Sequence, residues 1–115
     1  MVKRSGSYSV QENENMRGGE GVVVIEHLLT PEELYEKGRL YARISLKPGA
    51  SIGYHVHEGE MESFYIVKGE AEISDNGEVV VLSAGDSILT KSGEGHSVKS
   101  VGNDTLEMLA LIIYK

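Results

Sequence analysis

The chain of 115 residues contains no cysteine. That excludes a disulfide framework, a thiolate metal site and a cysteine nucleophile, and it fits a reducing cytoplasm. Positive charge is scarce. Eleven Lys and Arg stand against 18 Asp and Glu, a formal net charge of −7. No basic stripe overrides this balance, so phosphate backbones and anionic membranes are repelled and neither is expected as a partner. No apolar run approaches the ~20 residues needed to span a bilayer. No apolar segment of signal length follows Met1-Val2-Lys3-Arg4-Ser5-Gly6, so the expectation is a soluble cytoplasmic protein. Internal repeats, low-complexity tracts and long like-charge blocks are also missing, which argues against a solenoid or an interaction tail.

What is present suits one globular domain. Hydrophobic residues make up 40% and charged residues 25% of the chain. Residues 1–21 are polar and rich in Gly, Ser, Asn and Glu, and read as an arm or loop with a short strand near Tyr8 to Val10. Residues 22–115 form the domain. Residues 22–28, rich in β-branched side chains, open it as a strand. Thr30-Pro31-Glu32-Glu33 then predicts a short helix, with Thr30 as cap, Pro31 at the first helical position, Glu33 completing a capping box and Gly38 as the stop.

From Gly38 onward the pattern is strands and turns. Strands are expected at 39–46, 51–57, 63–68, 70–74, 78–82, 87–91, 96–101 and 105–114. Asp75-Asn76-Gly77 marks a hairpin, since Asn-Gly suits the positive φ angles of a tight turn. Nine or ten short strands with regular turns predict an all-β antiparallel sandwich or barrel, and a jelly roll is one way to manage its edges. Phe64-Tyr65-Ile66-Val67, Val79-Val80-Val81-Leu82 and Leu109-Ala110-Leu111-Ile112-Ile113 are apolar on both faces. The barrel can absorb one face, and the other would be covered by a second copy of the chain in a homodimer or, alternatively, by the short helix and the N-terminal arm.

Four histidines occur, and two of them form His55-x-His57 in an expected strand. Alternation along a strand points both imidazoles the same way. Glu62 follows from the next strand and His96 from a distant one behind the Gly-rich loop Ser92-Gly93-Glu94-Gly95. Imidazoles with one carboxylate suit Mn, Fe, Co, Ni or Zn while leaving positions open for water or substrate. Taken singly, each residue has a plainer reading: surface polarity for the His pair, a solvated acidic group for Glu62 beside Glu58 and Glu60, a turn residue for His96.

Together they resemble the two motifs of the cupin family. The first, G-x5-H-x-H-x3-4-E-x6-G, is matched at every fixed position by Gly49, His55, His57, Glu62 and Gly69. The second, G-x5-P-x-G-x2-H-x3-N, is matched by Gly85, Gly93 and His96, with Lys91 in place of the proline and Ser100 in place of the asparagine. The resemblance implies an antiparallel double-stranded β-helix, or jelly-roll barrel. It implies one divalent transition metal per chain on His55, His57, Glu62 and His96, with Mn or Fe favoured and Ni, Zn or Co as alternatives.

Phe64 and Ile66 share the strand face of Glu62 and are the leading pocket candidates. Tyr54, Tyr41, Arg43 and Met108 are further candidates, subject to strand register. Arg17 and Arg43 could meet an anionic substrate, and Glu94 and Tyr54 are the nearest spare acid–base groups. His27, outside both motifs, reads as a surface or structural histidine. The chain is similar to small single-domain cupins of the oxalate-decarboxylase-like group. That likeness implies a metal-dependent enzyme acting on a small carboxylate or oxygenated metabolite by decarboxylase- or dioxygenase-like chemistry. The alternative is a non-catalytic module that binds or senses a small ligand. Oxalate decarboxylases carry an arginine three residues before the first ligand histidine, and Ile52 stands there in this chain. A sugar epimerase or isomerase, which works with a His base and a Tyr acid, is a further reading.

Overall fold

A computed structural model describes residues 1–115. It contains ten strands: β1 (Ser9–Glu14), β2 (Val22–Leu29), β3 (Gly38–Leu46), β4 (Ser51–Val56), β5 (Glu60–Lys68), β6 (Glu70–Asp75), β7 (Glu78–Ser83), β8 (Ser87–Thr90), β9 (Gly95–Ser100) and β10 (Leu106–Tyr114). They form a six-stranded sheet in the order β1-β2-β3-β10-β5-β8 and a four-stranded sheet in the order β4-β9-β6-β7. Every pairing is antiparallel. No helix is long and apolar enough to cross a membrane.

Strand alternation builds the core between the two sheets. Leu106, Met108, Ala110 and Ile112 of β10 point inward, and Glu107, Leu109, Leu111 and Ile113 lie on the other face. The same period buries Ala42, Ile44 and Leu46 on β3, Phe64 and Ile66 on β5, and Ala71 and Ile73 on β6. Burying each large aliphatic side chain contributes about 1.5–3 kcal/mol. The more polar β9 of the small sheet follows the same logic, alternating His96, Val98 and Ser100 inward, with Ser97 and Lys99 outside.

The expected helix after Thr30 does not form. Its capping box does: Thr30 N donates to Glu33 Oε1 at 3.0 Å, and Glu33 N donates to Thr30 Oγ1 at 3.1 Å. One turn closes through Leu34 N to Thr30 O, but Tyr35 and Glu36 then take φ of 55° and 57°, and the chain swings into β3. Two consecutive left-handed residues end a helix as surely as glycine does. The one helical element is instead a 3₁₀ turn, Met16–Gly18, between β1 and β2.

Residues 1–21 hold more structure than a loop. Strand β1 pairs with β2 along its whole length, Ser9 opposite His27 through Glu14 opposite Val22. The 3₁₀ turn then crosses β4 so closely that a Cβ on Gly53 would sit 2.0 Å from the Arg17 carbonyl oxygen.

Candidate metal centre

Strand β4 carries a bulge. Ile52 lies opposite Val98 and His55 opposite His96, so Gly53 and Tyr54 together oppose Ser97 alone. The extra residue resets the phase of the strand. Ile52 and His57 are buried and His55 half-buried, while Tyr54 is 53% exposed, outside the barrel over Gly95. The loop of Ser92 to Gly95 is tied to the same strand: Gly93 N donates to His57 O at 2.6 Å and His57 N to Glu94 O at 3.0 Å. These bonds bring His96, at the head of β9, beside His55 and His57. Glu62 arrives from β5, opposite Thr90 and Ile112.

The four side chains converge at one end of the barrel. One ligand atom from each lies within 4.8 Å of every other. His57 Nε2 and His96 Nε2 are 3.2 Å apart, and His96 Nε2 and His55 Nε2 are 3.1 Å apart. Glu62 Oε1 is 2.9 Å from His57 Nε2 and 3.0 Å from His96 Nε2. Three of the four residues are buried, and Phe64 stacks under His96 with centroids 5.0 Å apart.

Each imidazole is oriented from behind. Gly53 O lies 2.8 Å from His55 Nδ1 and Glu60 Oε1 lies 2.8 Å from His57 Nδ1. A carbonyl and a carboxylate only accept, so both Nδ1 atoms carry a proton, and each Nε2 turned to the centre becomes a free lone pair once any proton of its own, such as the one His57 shares with Glu62, is lost. Thr90 Oγ1, itself fully buried, lies 2.8 Å from His96 Nδ1 and fixes the angle of that ring. Such outer partners set tautomer and ring angle for metal-ligating histidines.

The electrostatics follow from these contacts. Burial raises the Glu62 carboxyl, but hydrogen bonds and charge from His57 and His96 outweigh it and hold the group below its ordinary value. The hydrogen bond to Glu62 lifts His57, against burial. Burial pushes His55 down, against its bond to Gly53. Arg39 grips Glu60 with two bonds of 2.8 and 2.7 Å, and with His57 it lowers Glu60 to about 2 in spite of burial.

A cavity of about 190 Å³ opens over the centre. His55, His57, Glu62 and Phe64 line it, and His96 lies beneath. The other sequence candidates fall elsewhere. Ile66 and Met108 face each other across β5 and β10, fully buried in the core and outside the cavity wall. They share the face of Glu62, but each step of two residues moves ~6.8 Å along the barrel, and Phe64 intervenes. Tyr54 is turned out by the bulge. Arg43 lies on the outer sheet face, 3.5 Å from Glu26, and Tyr41 lies in a separate surface hollow with Tyr8 and Leu28. Glu94 closes its own turn by accepting from Lys91 N at 2.9 Å.

Other residues take those places. Gln11, Asn13 and Arg17 come from the arm, and Ile25, Leu40, Ile44 and Ile112 from the large sheet. His27 also lines the cavity, half-buried with Nε2 3.0 Å from Gln11 Oε1, and is not a plain surface histidine. Its alternation with buried Val23 and Ile25 is the sequence signal for that placement. Glu60 and Thr90 support the ligands yet lie outside the motif's fixed positions. Thr90 alternates with buried Ile88, whereas nothing local distinguishes Glu60 from Glu58.

Comparison with known proteins matches this architecture. Residues 42–113 fit the model of the cupin domain. The chain is 50% identical over 113 residues to an oxalate-binding protein of Thermotoga maritima, covering 98% of this chain and 93% of that one. A crystal structure described as a predicted oxalate decarboxylase of Thermotoga maritima superposes with a TM-score of 0.96 at 49% identity, over all of both chains. The structure of KdgF from Halomonas sp. shares the fold alone, with a TM-score of 0.75 at 18% identity over 97% of this chain and 92% of that one. With the first motif matched throughout and the second at Gly85, Gly93 and His96, the jelly-roll barrel formed and a cluster of three histidines and a glutamate at its mouth, the chain belongs to the cupin domain family.

Proposed function

We propose that the protein binds one divalent transition metal through His55, His57, Glu62 and His96 and uses it to hold a small carboxylate. The observation that carries this reading is the spacing of the four donors. At bond lengths of ~2.1 Å, two ligands at right angles sit about 3.0 Å apart and two at the tetrahedral angle about 3.4 Å apart. The contacts of 2.9, 3.0, 3.1 and 3.2 Å fit right angles. Four donors on such a frame leave two positions free, which favours Mn or Fe over tetrahedral Zn, with Co and Ni as neighbours in the series. When bound, the ion supplies a Lewis acid and a template for oxygen ligands. The relative named for oxalate binding supports a carboxylate as the ligand.

The chain's own residues divide the remaining work. Gly53, Glu60 and Thr90 hold the imidazoles in register, Phe64 seals the floor, and the arm narrows the entrance. Elemental analysis of the purified, untagged protein, beside a His55→Ala/His57→Ala variant, tests the metal. About one Mn or Fe per chain, lost in the variant, is expected. No transition metal after incubation with Mn, Fe, Ni and Zn salts overturns the reading.

Turnover of the bound acid, by decarboxylation or oxygen-dependent cleavage, is the second reading, and His27 favours it as a base in the cavity wall outside the ligand set. Product formation that falls at least tenfold in His27→Gln with metal content unchanged would support it. Absence of any product from metal-loaded protein leaves a binding module.

The absence of cysteine and the acidic balance support a cytoplasmic setting. A homodimer through the outer face of the large sheet fits the exposure of Tyr65 (48%) and Leu89 (49%) beside Leu109 and Leu111. Light scattering on Tyr65→Glu/Leu89→Glu tests it. A dimer that turns monomeric is the expected result, and a monomeric wild-type protein rejects it.

A further inference from the structure

Apart from His57 and Glu62, the buried part of the cavity wall is apolar. Ile44, Ile52, Phe64 and Ile112 are each no more than 3% exposed, and half-buried Leu40 and Met16 continue the belt outward. Gln11 and Arg17 are exposed and Asn13 and His27 half-buried, so the polar lining sits toward the open end. Arg39 also borders the cavity, but both its bonds go to Glu60. Apart from Glu62, no carboxylate lines the space.

This division discriminates between ligands. A chelating acid occupies two adjacent metal positions with one carboxylate oxygen and one oxygen on the neighbouring carbon. When that neighbour is itself a carboxylate, as in oxalate, a second uncoordinated charged oxygen needs a partner, and the donors of Gln11, Asn13, Arg17 and His27 stand toward the open end rather than among the buried Ile and Phe side chains. Burying charged oxygen without a partner is costly. Size points the same way. The cavity of about 190 Å³ leaves room beyond a two-carbon acid for a short tail.

From this we infer that the preferred ligand is a 2-oxo or 2-hydroxy monocarboxylate with a short hydrocarbon tail, the head on the metal and the tail against Met16, Leu40 and Ile44. The inference rests on the metal-held carboxylate proposed above and names its chemical class. A hydrocarbon tail removes apolar wall from water and leaves one fewer charged oxygen to be paired than oxalate does.

Calorimetric titration of the metal-loaded full-length protein with pyruvate, 2-oxobutanoate, 2-oxopentanoate and oxalate tests it. The 2-oxo acids share one chelating head, so differences among them report the wall. Affinity should rise about fourfold per added methylene, and the near-isosteric Met16→Gln should flatten that rise while metal content stays the same. Oxalate, normalised to its affinity for the free ion, should bind more weakly than 2-oxopentanoate. A flat series, or oxalate tightest after normalisation, overturns the tail with carboxylate binding intact. No binding by any of the four acids to metal-loaded protein overturns the carboxylate reading itself, and the tail with it.

Discussion

Glu60 accepts a hydrogen bond from His57 Nδ1 at 2.8 Å on the same oxygen that meets Arg39 at 2.7 Å. One carboxylate thus couples a 40% exposed guanidinium to a buried imidazole that faces the metal centre. Because such outer partners fix ligand orientation, Glu60→Ala should weaken metal binding about 10–100-fold with all four donors in place. Competition against a chromophoric chelator measures this. Affinity within twofold of wild type would mean that β4 alone holds the ring. Arg39→Ala should have a smaller effect in the same direction.

Protons and metal compete for the same nitrogen atoms. In the metal-free protein His57 is raised above 6.5 by its bond to Glu62, and Glu62 lies below 4.5. The sign of each contribution follows from linkage. The Glu62 term is present above pH 4.5 and lost as pH falls through its lowered value. The His57 term is complete below pH 6.5 and lost as pH rises through its raised value. The metal-free protein should therefore gain most from this pair between about pH 4.5 and 6.5 and lose the His57 part in alkali, where the neutral donors bind metal best. Thermal melts across pH, with and without metal, should diverge as pH rises. Parallel curves would show that the ion does not use these groups.

Metal should also act as a stabiliser. At a free concentration one hundred times Kd it contributes about 2.7 kcal/mol, several degrees of melting temperature for a domain of this size. His96→Ala should abolish that gain, since His96 lies within 3.2 Å of the other three donors. A variant that still gains the full increment would place the ion elsewhere.

Ser100 stands where the family motif has asparagine, and its buried hydroxyl is without a hydrogen-bond partner. An unsatisfied buried hydroxyl is destabilising. Ser100→Ala should leave stability unchanged or raise it by up to about 1 kcal/mol in urea unfolding. A loss beyond that would reveal a partner for the hydroxyl.

Gly53→Ala is expected to do the opposite. Its new methyl would meet the Arg17 carbonyl and Gly19 nitrogen, backbone atoms that yield only if the 3₁₀ turn moves. A loss of about 1–3 kcal/mol is expected, with Met16 and Arg17 displaced from the cavity. Nitroxide labels on the turn and on β5 would register the shift as a changed distance distribution. An unchanged distribution and melting temperature would show that the turn is free to give way.

Much of the site was legible because the cupin motifs fix both residue type and spacing. Alternation correctly paired Glu62 with Phe64 on one inward face. It could not say how deep each residue lies, so Ile66 and Met108, on the right face, sit too far down the barrel to reach the cavity. Nor does a two-residue period reveal a bulge: Gly53 and Tyr54 share one partner residue, and Tyr54 is turned outward as a result. The helix after Thr30 failed for a different reason. Its cap was read correctly, but the left-handed pair Tyr35 and Glu36 carries no glycine to announce it. The arm's part in the cavity depends on β1 pairing with β2, a long-range contact that local composition does not encode.

The metal ligands and the cavity roof belong to parts of the chain with different anchoring. The ligands come from the end of β4, from β5 and from β9, whose neighbouring side chains Ile52, Phe64 and Val98 are buried in the core. Gln11, Asn13 and Arg17 ride on β1 and its turn, where β1 pairs with β2 alone and no residue is fully buried. Local opening is cheapest where so little is buried. An entrance that opens without unpacking the barrel would let an organic ligand exchange on a faster clock than a metal held by His55, His57, Glu62 and His96.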